Sequence, residues 1–538
     1  MELPKNFLEM MKYILGEDLD EYLRSFDAPQ HFGMRINTSK LSVDEFIRLT
    51  DDLYETRPVQ WCDCGLYYEG LQAVTKSPYY HAGLYYIQEP SAMLPAAALP
   101  IEEGDRVLDL CAAPGGKSTQ LAAKLNGTGF LLANDISNTR AKALLKNLEL
   151  FGLANIAVSS DNHERLSECF PEYFDKILVD APCSGEGMFR REPAMVKSWL
   201  DKGPEYYAPL QAEILEHAYK MLKPGGMLLY STCTFSPLEN EANVYRLLKA
   251  HDDARLVPIS ITEGMRHGLS DDILTACGAI SRESVMNDVC TGCARIFPND
   301  GFGEGHFAAL IQKNDSTEQY KTQKKYISKN PDDNIEKEYI SKNPTDTAEK
   351  EYISNNEKGN QDCLSKNEKT ISVYPNASGF LAFVSDDFLG KGEITEINDR
   401  LYMLPEDFKI NTNIRYLRTG LLLGELVKGK GADVAGNKGK KNKASYNRDS
   451  SDSKNVRFEP SQALAMALDM YSFSRIINFR ADDISVIKYL KGETVMCPDD
   501  CTLENGWCLI TVDDFPLGFA IKNGDVLKNK YFTGWRMQ

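Results

Sequence analysis

The sequence contains no apolar run approaching the roughly 20 residues a helix needs to cross a bilayer. Its longest apolar stretches, such as Ala92 to Leu99 and Met227 to Tyr230, are far shorter. No membrane span is expected. The opening segment Met1 to Phe7 lacks a basic stretch leading into an apolar one, which argues against a secretory leader and for a cytoplasmic protein. Dense, evenly paired cysteine is absent too. Thirteen cysteines spread over 538 residues fit reduced thiols better than a disulfide framework. Cys62-x-Cys64 and Cys290-x-x-Cys293 have no partner pair or histidines at a suitable spacing, so no metal site is expected. Positive charge is also in deficit. A net charge of -17 excludes a protein that coats nucleic acid without selectivity, since that requires an overall cationic surface. The cations that are present are clustered. Residues 428–457 hold nine Lys/Arg against three Asp, and Lys522 to Arg536 is also basic. Local patches of this kind govern binding more than the total does.

A hydrophobic content of 42% over this length predicts two to four folded domains. Residues 1–76 read as a small α+β accessory, RNA-binding domain, with helical patterning in Lys5 to Leu15 and Ser42 to Leu53. Through 77–313, strand-like runs alternate with helical ones: Arg106 to Leu110, Gly129 to Asp135, Asn155 to Ser159, Asp175 to Asp180, Gly226 to Thr232 and His306 to Gln312. That alternation predicts an α/β, doubly wound and mostly parallel sheet covered on both faces. Residues 314–370 carry a period-13 repeat (Tyr326-Ile-Ser-Lys-Asn-Pro, Tyr339-Ile-Ser-Lys-Asn-Pro, Tyr352-Ile-Ser-Asn-Asn) and read as a flexible low-complexity insert. Residues 371–457 form an accessory segment ending in a basic flexible linker, and 458–538 a last domain.

After the first predicted strand comes Cys111-Ala112-Ala113-Pro114-Gly115-Gly116-Lys117, followed at once by a helical stretch. A glycine turn between strand and helix lets a ligand approach the backbone, and the helix start offers free N–H groups. The phosphate-loop pattern fails because Leu110 stands where its first glycine should be, and G-x-G-x-x-G is absent. An acidic residue ends each of the next strands: Asp135, Asp161 and Asp180. A carboxylate after the second strand can accept both ribose hydroxyls, and one after the third an adenine amino group. Each could instead cap the helix that follows. Three at successive strand ends favour the ligand reading.

The fourth predicted strand runs into Asp180-Ala-Pro-Cys183 and the fifth into Tyr230-Ser-Thr-Cys233. In a doubly wound sheet these ends are neighbours on the cofactor side, so the two thiols should share a pocket. Carbon 5 of cytosine is too poor a nucleophile to take a methyl group unaided. A thiolate added at carbon 6 makes it enamine-like, and a carboxylate such as Asp180 can stabilise the charge that moves onto the ring. Buried inert thiols are the alternative. Two thiols beside an Asp-Ala-Pro turn argue for reactivity. Spacing alone does not rank them.

Tyr86-Ile-Gln-Glu-Pro-Ser-Ala-Met93, Asp109-Leu-Cys-Ala-Ala-Pro-Gly-Gly-Lys117, Asn134-Asp-Ile-Ser137, Asp180-Ala-Pro-Cys-Ser-Gly-Glu-Gly-Met-Phe-Arg190 and Tyr230-Ser-Thr-Cys-Thr-Phe235 together resemble the motif series of the Nol/Nop/Sun RNA cytosine-5 methyltransferases, nearest to their bacterial RsmF/YebU branch. The resemblance is strong over 77–313, with Arg295-Ile-Phe-Pro298 and Gly303-Glu-Gly-His-Phe307 included. It is weaker at Leu517 to Arg536, which is similar to that branch's PUA-like RNA-binding module. It implies a class I (Rossmann-like) methyltransferase fold and S-adenosyl-L-methionine as cofactor, held by 111–117, Asp135, Asp161 and Asp180. It further implies that Cys233 attacks, that Cys183 promotes release, and that the substrate is small-subunit (16S) ribosomal RNA near the decoding region, free or in the 30S subunit, met by a monomer.

A base must leave its stack to be methylated, so flanking affinity is expected from Arg190, Arg191 and Lys197 near the pocket and from Lys522, Lys528, Lys530 and Arg536 in the tail, with Tyr531 and Trp535 for stacking. Competing readings are a DNA cytosine-5 methyltransferase, which would use Cys183 and leave Cys233 idle, and an inactive RNA-binding ribosome assembly factor, against which the intact motifs argue. An amino-nitrogen methyltransferase would need an Asp/Asn-Pro-Pro-aromatic loop where Asp180-Ala-Pro-Cys stands.

Overall fold

A computed structural model describes residues 2–69, 73–284, 287–315, 373–405, 408–428 and 456–537. The period-13 repeat and nearly all of the basic 428–457 segment lie outside the described residues.

The helix Lys5–Leu15 buries Phe7, Met11 and Leu15, spaced four apart, on a cluster with Tyr22, Phe189 and Phe235. The next sequence-predicted helix runs over Val43–Leu49. It starts on a capping box, the Ser42 hydroxyl accepting from Glu45 N (3.2 Å) and the Glu45 carboxylate from Ser42 N (2.8 Å). It stops short of the expected Leu53 because Thr50 leaves helical geometry while its hydroxyl donates back to Phe46 O at 2.8 Å. A four-stranded antiparallel sheet follows, in the order Glu55–Val59, Cys62–Glu69, Gly33–Ile36, Tyr85–Ile87. Its last strand lies beyond residue 76. Ser77-Pro78, read as a boundary, instead begins a single helical turn, Pro78–His81, inside the N-terminal unit.

The central sheet holds β1 (Arg106–Asp109), β2 (Phe130–Asn134), β3 (Ile156–Ser159), β4 (Phe174–Asp180), β5 (Leu222–Thr232) and β6 (His306–Lys313). Their order is β3-β2-β1-β4-β5-β6, parallel through β5 with β6 antiparallel. The strands alternate strictly between two cores. Leu108, Phe130, Leu132, Ala157, Ile177 and Val179 face one, and Val107, Leu131, Ala133, Val158 and Leu178 the other. Helices cover both faces, so both sets are apolar. The strand order reverses beside β1, which opens a crevice outside the carboxyl ends of β1 and β4.

Two further findings concern the C-terminal part. Tyr416–Thr419 pairs antiparallel with β3, so a piece of the expected accessory segment completes the edge of the central sheet. The strand Val456–Pro460 pairs with Leu421–Lys428, so the expected division at 457/458 cuts through a strand. A five-stranded sheet then runs Ile476–Phe479, Gly506–Val512, Phe515–Asn523, Val526–Asn529, Val495–Met496. Leu517 of this sheet, with Tyr489, Tyr531 and Trp535 beside it, shares a core with Met34, Ile36 and Tyr85 of the N-terminal sheet. Among the described residues, no helix is long and apolar enough to cross a membrane.

Candidate active site

The turn after β1 is shaped by its glycines. Gly115 has φ +112°, a conformation that favours glycine. A side chain on Gly116 would stand 3.1 Å from the Tyr86 ring and 3.3 Å from Gln88 Nε2. The wholly buried Arg35 fastens this turn to the N-terminal sheet, donating from Nη2 to Gly116 O (2.9 Å) and from Nε to Gln88 Oε1 (3.1 Å). Tyr86-Ile-Gln88 therefore belongs to the wall of the site.

Strand ends carry the carboxylates. Asn134 positions them, donating to Leu110 O (3.1 Å) and Asp161 O (3.0 Å) and accepting from Ser159 Oγ (2.8 Å) and Asp161 N (3.0 Å). Asp135, 2% exposed, accepts from Ser137 N at 2.9 Å and lies 3.3 Å from Arg140 Nη2. Asp161 also ties down the edge segment. Its Oδ2 accepts Arg415 N at 3.1 Å, and Ser160 N donates to Arg415 O at 2.9 Å, so the edge segment closes this side. Asn162 caps the helix His163–Cys169 by accepting Arg165 N at 2.8 Å. Asp109, absent from the expected set, is buried, accepts Ser118 Oγ at 2.6 Å through Oδ2, and leaves Oδ1 without a partner. Burial pushes its carboxyl up to about 7.

Asp109, Asp135 and Asp180 all act on the Cys111 thiol, which burial and then these carboxylates push upward. A glycine turn that lets a ligand reach the backbone, followed by carboxylates at the neighbouring strand ends, suits a sulfonium cation and a ribose diol. The residues present thus fit S-adenosylmethionine.

At the end of β4, Asp180 Oδ2 accepts Lys117 Nζ at 2.7 Å, and Oδ1 accepts Ser231 Oγ at 2.9 Å with His306 Nε2 at 3.5 Å. Burial alone would raise its pKa, but the Lys117 ammonium and His306 outweigh it and hold the carboxyl well below the usual range. Asp180 is therefore ionised. Asp180 of β4 pairs with Ser231 of β5, and the two loops that follow bring Cys183 Sγ to 3.2 Å from Cys233 Sγ. The hydrogen bond with Cys233 and burial hold the Cys183 thiol neutral, well above its ordinary pKa. Behind the cysteines are two buried carboxylates the sequence reading did not single out. Glu239 accepts Ser184 N (3.0 Å) and Gln211 Nε2 (2.8 Å), while Glu186 accepts Phe235 N (2.8 Å) and Trp199 Nε1 (2.8 Å).

Residues 96–312 match the family model of the 16S rRNA methyltransferase RsmB/F. Models of the RsmF N-terminal domain, first C-terminal domain and PUA domain match residues 3–90, 379–430 and 477–537. The chain belongs to the RsmB/F methyltransferase family. Ribosomal RNA small subunit methyltransferase F of Vibrio parahaemolyticus is 35% identical over 331 residues, and the match covers 60% of this chain and 66% of that protein. The protein of the same name from an Escherichia coli O139:H28 strain is 35% identical over 320 residues, 58% of this chain and 63% of that one. The chain thus spans just under two thirds of the length of these relatives. The crystal structure of PH0851 superposes with a TM-score of 0.51 at 27% identity, covering 58% of this chain and 66% of that one. The expected methyltransferase fold and PUA-type C-terminal module are those of the RsmB/F family.

Within this RsmB/F chain the expected RNA contacts divide. Arg190 is not free for phosphate. Its side chain is 6% exposed, its Nε lies 3.4 Å from Glu304 Oε2, and its Nη2 donates to Ala28 O at 3.2 Å. Arg191 lies 4.0 Å from the same carboxylate. Lys197, Lys528 and Arg536 are exposed. Lys522 is half-buried and donates to Gly524 O at 2.9 Å, and Lys530 sits over the Trp507 ring. The stacking expectation fails at Tyr531 and Trp535, which are 2% and 7% exposed and occupied by the core shared with the N-terminal sheet. Phe532, 56% exposed, is the accessible ring of this segment. A cavity of about 680 Å³ lined by Lys40, Phe151, Leu404, Met466 and Pro516 contains none of the expected site residues.

Proposed function

We propose that this protein is an S-adenosylmethionine-dependent RNA (cytosine-5) methyltransferase that acts on 16S ribosomal RNA near the decoding region through a covalent Cys233 adduct. The observation that carries this reading is the pair of thiols 3.2 Å apart at neighbouring parallel strand ends, beside an ionised Asp180. Bound S-adenosylmethionine supplies an electrophilic methyl group. Residues of the 111–117 turn, with Asp135 and Asp161, would hold it. Cys233 Sγ adds to carbon 6 of the flipped cytosine, forming a C–S bond and moving the ring electrons toward carbon 5 and the N3 side. Asp180, tied to Lys117, accepts a hydrogen bond from the exocyclic amino group and orients the ring for attack, while the Lys117 ammonium beside it offsets the negative charge of the carboxylate. Once carbon 5 carries the methyl group, its proton passes to a base and the C–S bond breaks. Cys183, adjacent to the departing sulfur, promotes that elimination.

Asp135→Ala is expected to weaken S-adenosylmethionine binding by about 10- to 100-fold, the loss of a charged hydrogen-bonding group. Isothermal titration calorimetry on the RNA-free protein checks this, and an unchanged Kd removes Asp135 from the site. The substrate is tested by bisulfite sequencing of ribosomal RNA from a strain lacking the gene. One or more 16S cytosines near the decoding region should lose methylation, whereas full methylation at every site contradicts the assignment.

A further inference from the structure

Each cysteine is followed at once by a hydroxyl residue, Ser184 after Cys183 and Thr234 after Cys233. Both hydroxyls, with the two carboxylates behind them, are buried. Thr234 Oγ1 contacts Glu186 Oε2, lies 3.2 Å from Glu239 Oε1 and 3.0 Å from Ser184 Oγ, and Ser184 Oγ in turn contacts Glu239 Oε1. Proton counting shows what this cluster needs. Two hydroxyls bring two protons to four oxygen–oxygen contacts. If both carboxylates were ionised, at least two contacts would be lone pair against lone pair, and two negative charges would flank one hydroxyl in a dry site. One additional proton on Glu186 removes the charge conflict and leaves a single unfilled contact, the longest of the four, between Thr234 and Glu239 at 3.2 Å. Glu186 then donates to Thr234, Thr234 to Ser184, and Ser184 to Glu239, which keeps its charge because Ser184 N and Gln211 Nε2 also donate to it.

We propose that Glu186 and Glu239 share a single proton through Thr234 and Ser184, and that this shared proton holds the two cysteine loops at their working separation. The proposal rests on the reading of Cys233 and Cys183 as the reacting pair. Both glutamates are positioning residues. Glu186 also binds Phe235 N, and Gly187 N donates to Cys233 O at 2.9 Å, so the chain of contacts spans both loops. The groups facing it from neighbouring elements are Tyr22, the Arg190–Glu304 pair, Tyr207, Tyr230, the Arg295–Glu241 pair and the two thiols. Burial first, then Glu239, pushes Glu186 up to about 7. A carboxyl raised in this way binds its proton more tightly when folded. The stabilisation is complete below the ordinary carboxyl range and is lost as pH rises through about 7.

The full-length protein tests this with Glu186→Gln, whose amide can donate to Thr234 although its nitrogen no longer accepts Phe235 N, and Glu186→Ala, which can do neither. In RNA-free protein at pH 6, the infrared difference between wild type and Glu186→Gln, in which the Asp109 carboxyl common to both cancels, should show the carbonyl band of a buried protonated carboxylic acid that fades above pH 7. Wild-type kcat should show an alkaline decline that Glu186→Gln lacks, with KM for RNA unmoved. Glu186→Ala should lose about 100-fold more kcat than Glu186→Gln, the cost of a misplaced reacting group. Thr234→Val, which breaks the chain without touching a carboxyl, should behave like Glu186→Ala. An alkaline decline that persists in Glu186→Gln, or equal losses in the two Glu186 variants, overturns the proposal. The infrared band is read without RNA, so its absence counts against the shared proton alone. A missing cysteine–RNA adduct counts against the reading of the reacting pair.

Discussion

Cys233→Ala is expected to reduce methyl transfer to RNA by on the order of 10⁵-fold or more, the scale on which removing the nucleophile of a covalent catalyst acts. The reason is chemical: without a C–S bond at carbon 6, carbon 5 stays unreactive, and nothing else at the site changes that. Cys183 is 3.2 Å away but does not substitute, because burial still disfavours its thiolate once the Cys233 partner is gone and it sits on the other loop. Affinity for S-adenosylmethionine should persist, since Cys233 follows β5 whereas the turn that would hold the cofactor follows β1. Single-turnover methylation with saturating RNA measures the loss. Residual activity within about tenfold of wild type would mean the thiol is not the nucleophile.

The second large effect is on stability. Arg295 and Glu241 form an ion pair with side chains only 1% and 0% exposed. Arg295 donates from Nε to Glu241 Oε1 (2.7 Å) and from Nη2 to Glu241 Oε2 (2.5 Å), and its Nη1 donates to Phe235 O (2.9 Å). Leu269 N also donates to Glu241, at 3.2 Å. Arg295→Met leaves a buried carboxylate without its cation, and is expected to cost about 3–5 kcal/mol in chemical denaturation. Adding Glu241→Gln removes the stranded charge while still accepting Leu269 N, so the double variant should recover part of the loss. A single variant that loses less than about 1 kcal/mol would show that water or another cation reaches Glu241.

The central sheet was legible because its strands alternate between two apolar cores, a period of two that survives in one sequence. Val107/Leu108 and Leu131/Leu132 show it plainly. The cysteine pair was legible because it lies at strand ends in short motifs. Other features left little trace. Tyr416–Thr419 is a short edge strand with Arg418 in its middle, and its place beside β3 is set by long-range pairing. Asn134 looks like any turn residue, yet it joins three strand ends. Trp535 and Tyr531, in a basic tail, read as stacking rings, but they are packed into a core that includes residues of the N-terminal sheet. Burial by a segment some 450 residues away in sequence has no local signature. Nothing next to Glu186 or Glu239 in the chain marks them as buried until the fold surrounds them.

The most direct test of covalent chemistry at Cys233 is a denaturing gel of the protein incubated with 16S-derived RNA and S-adenosylmethionine. Cys183→Ala should accumulate a protein–RNA adduct that survives denaturation, and Cys233→Ala should form none. An adduct that appears only in Cys233→Ala would reverse the two roles and contradict the account.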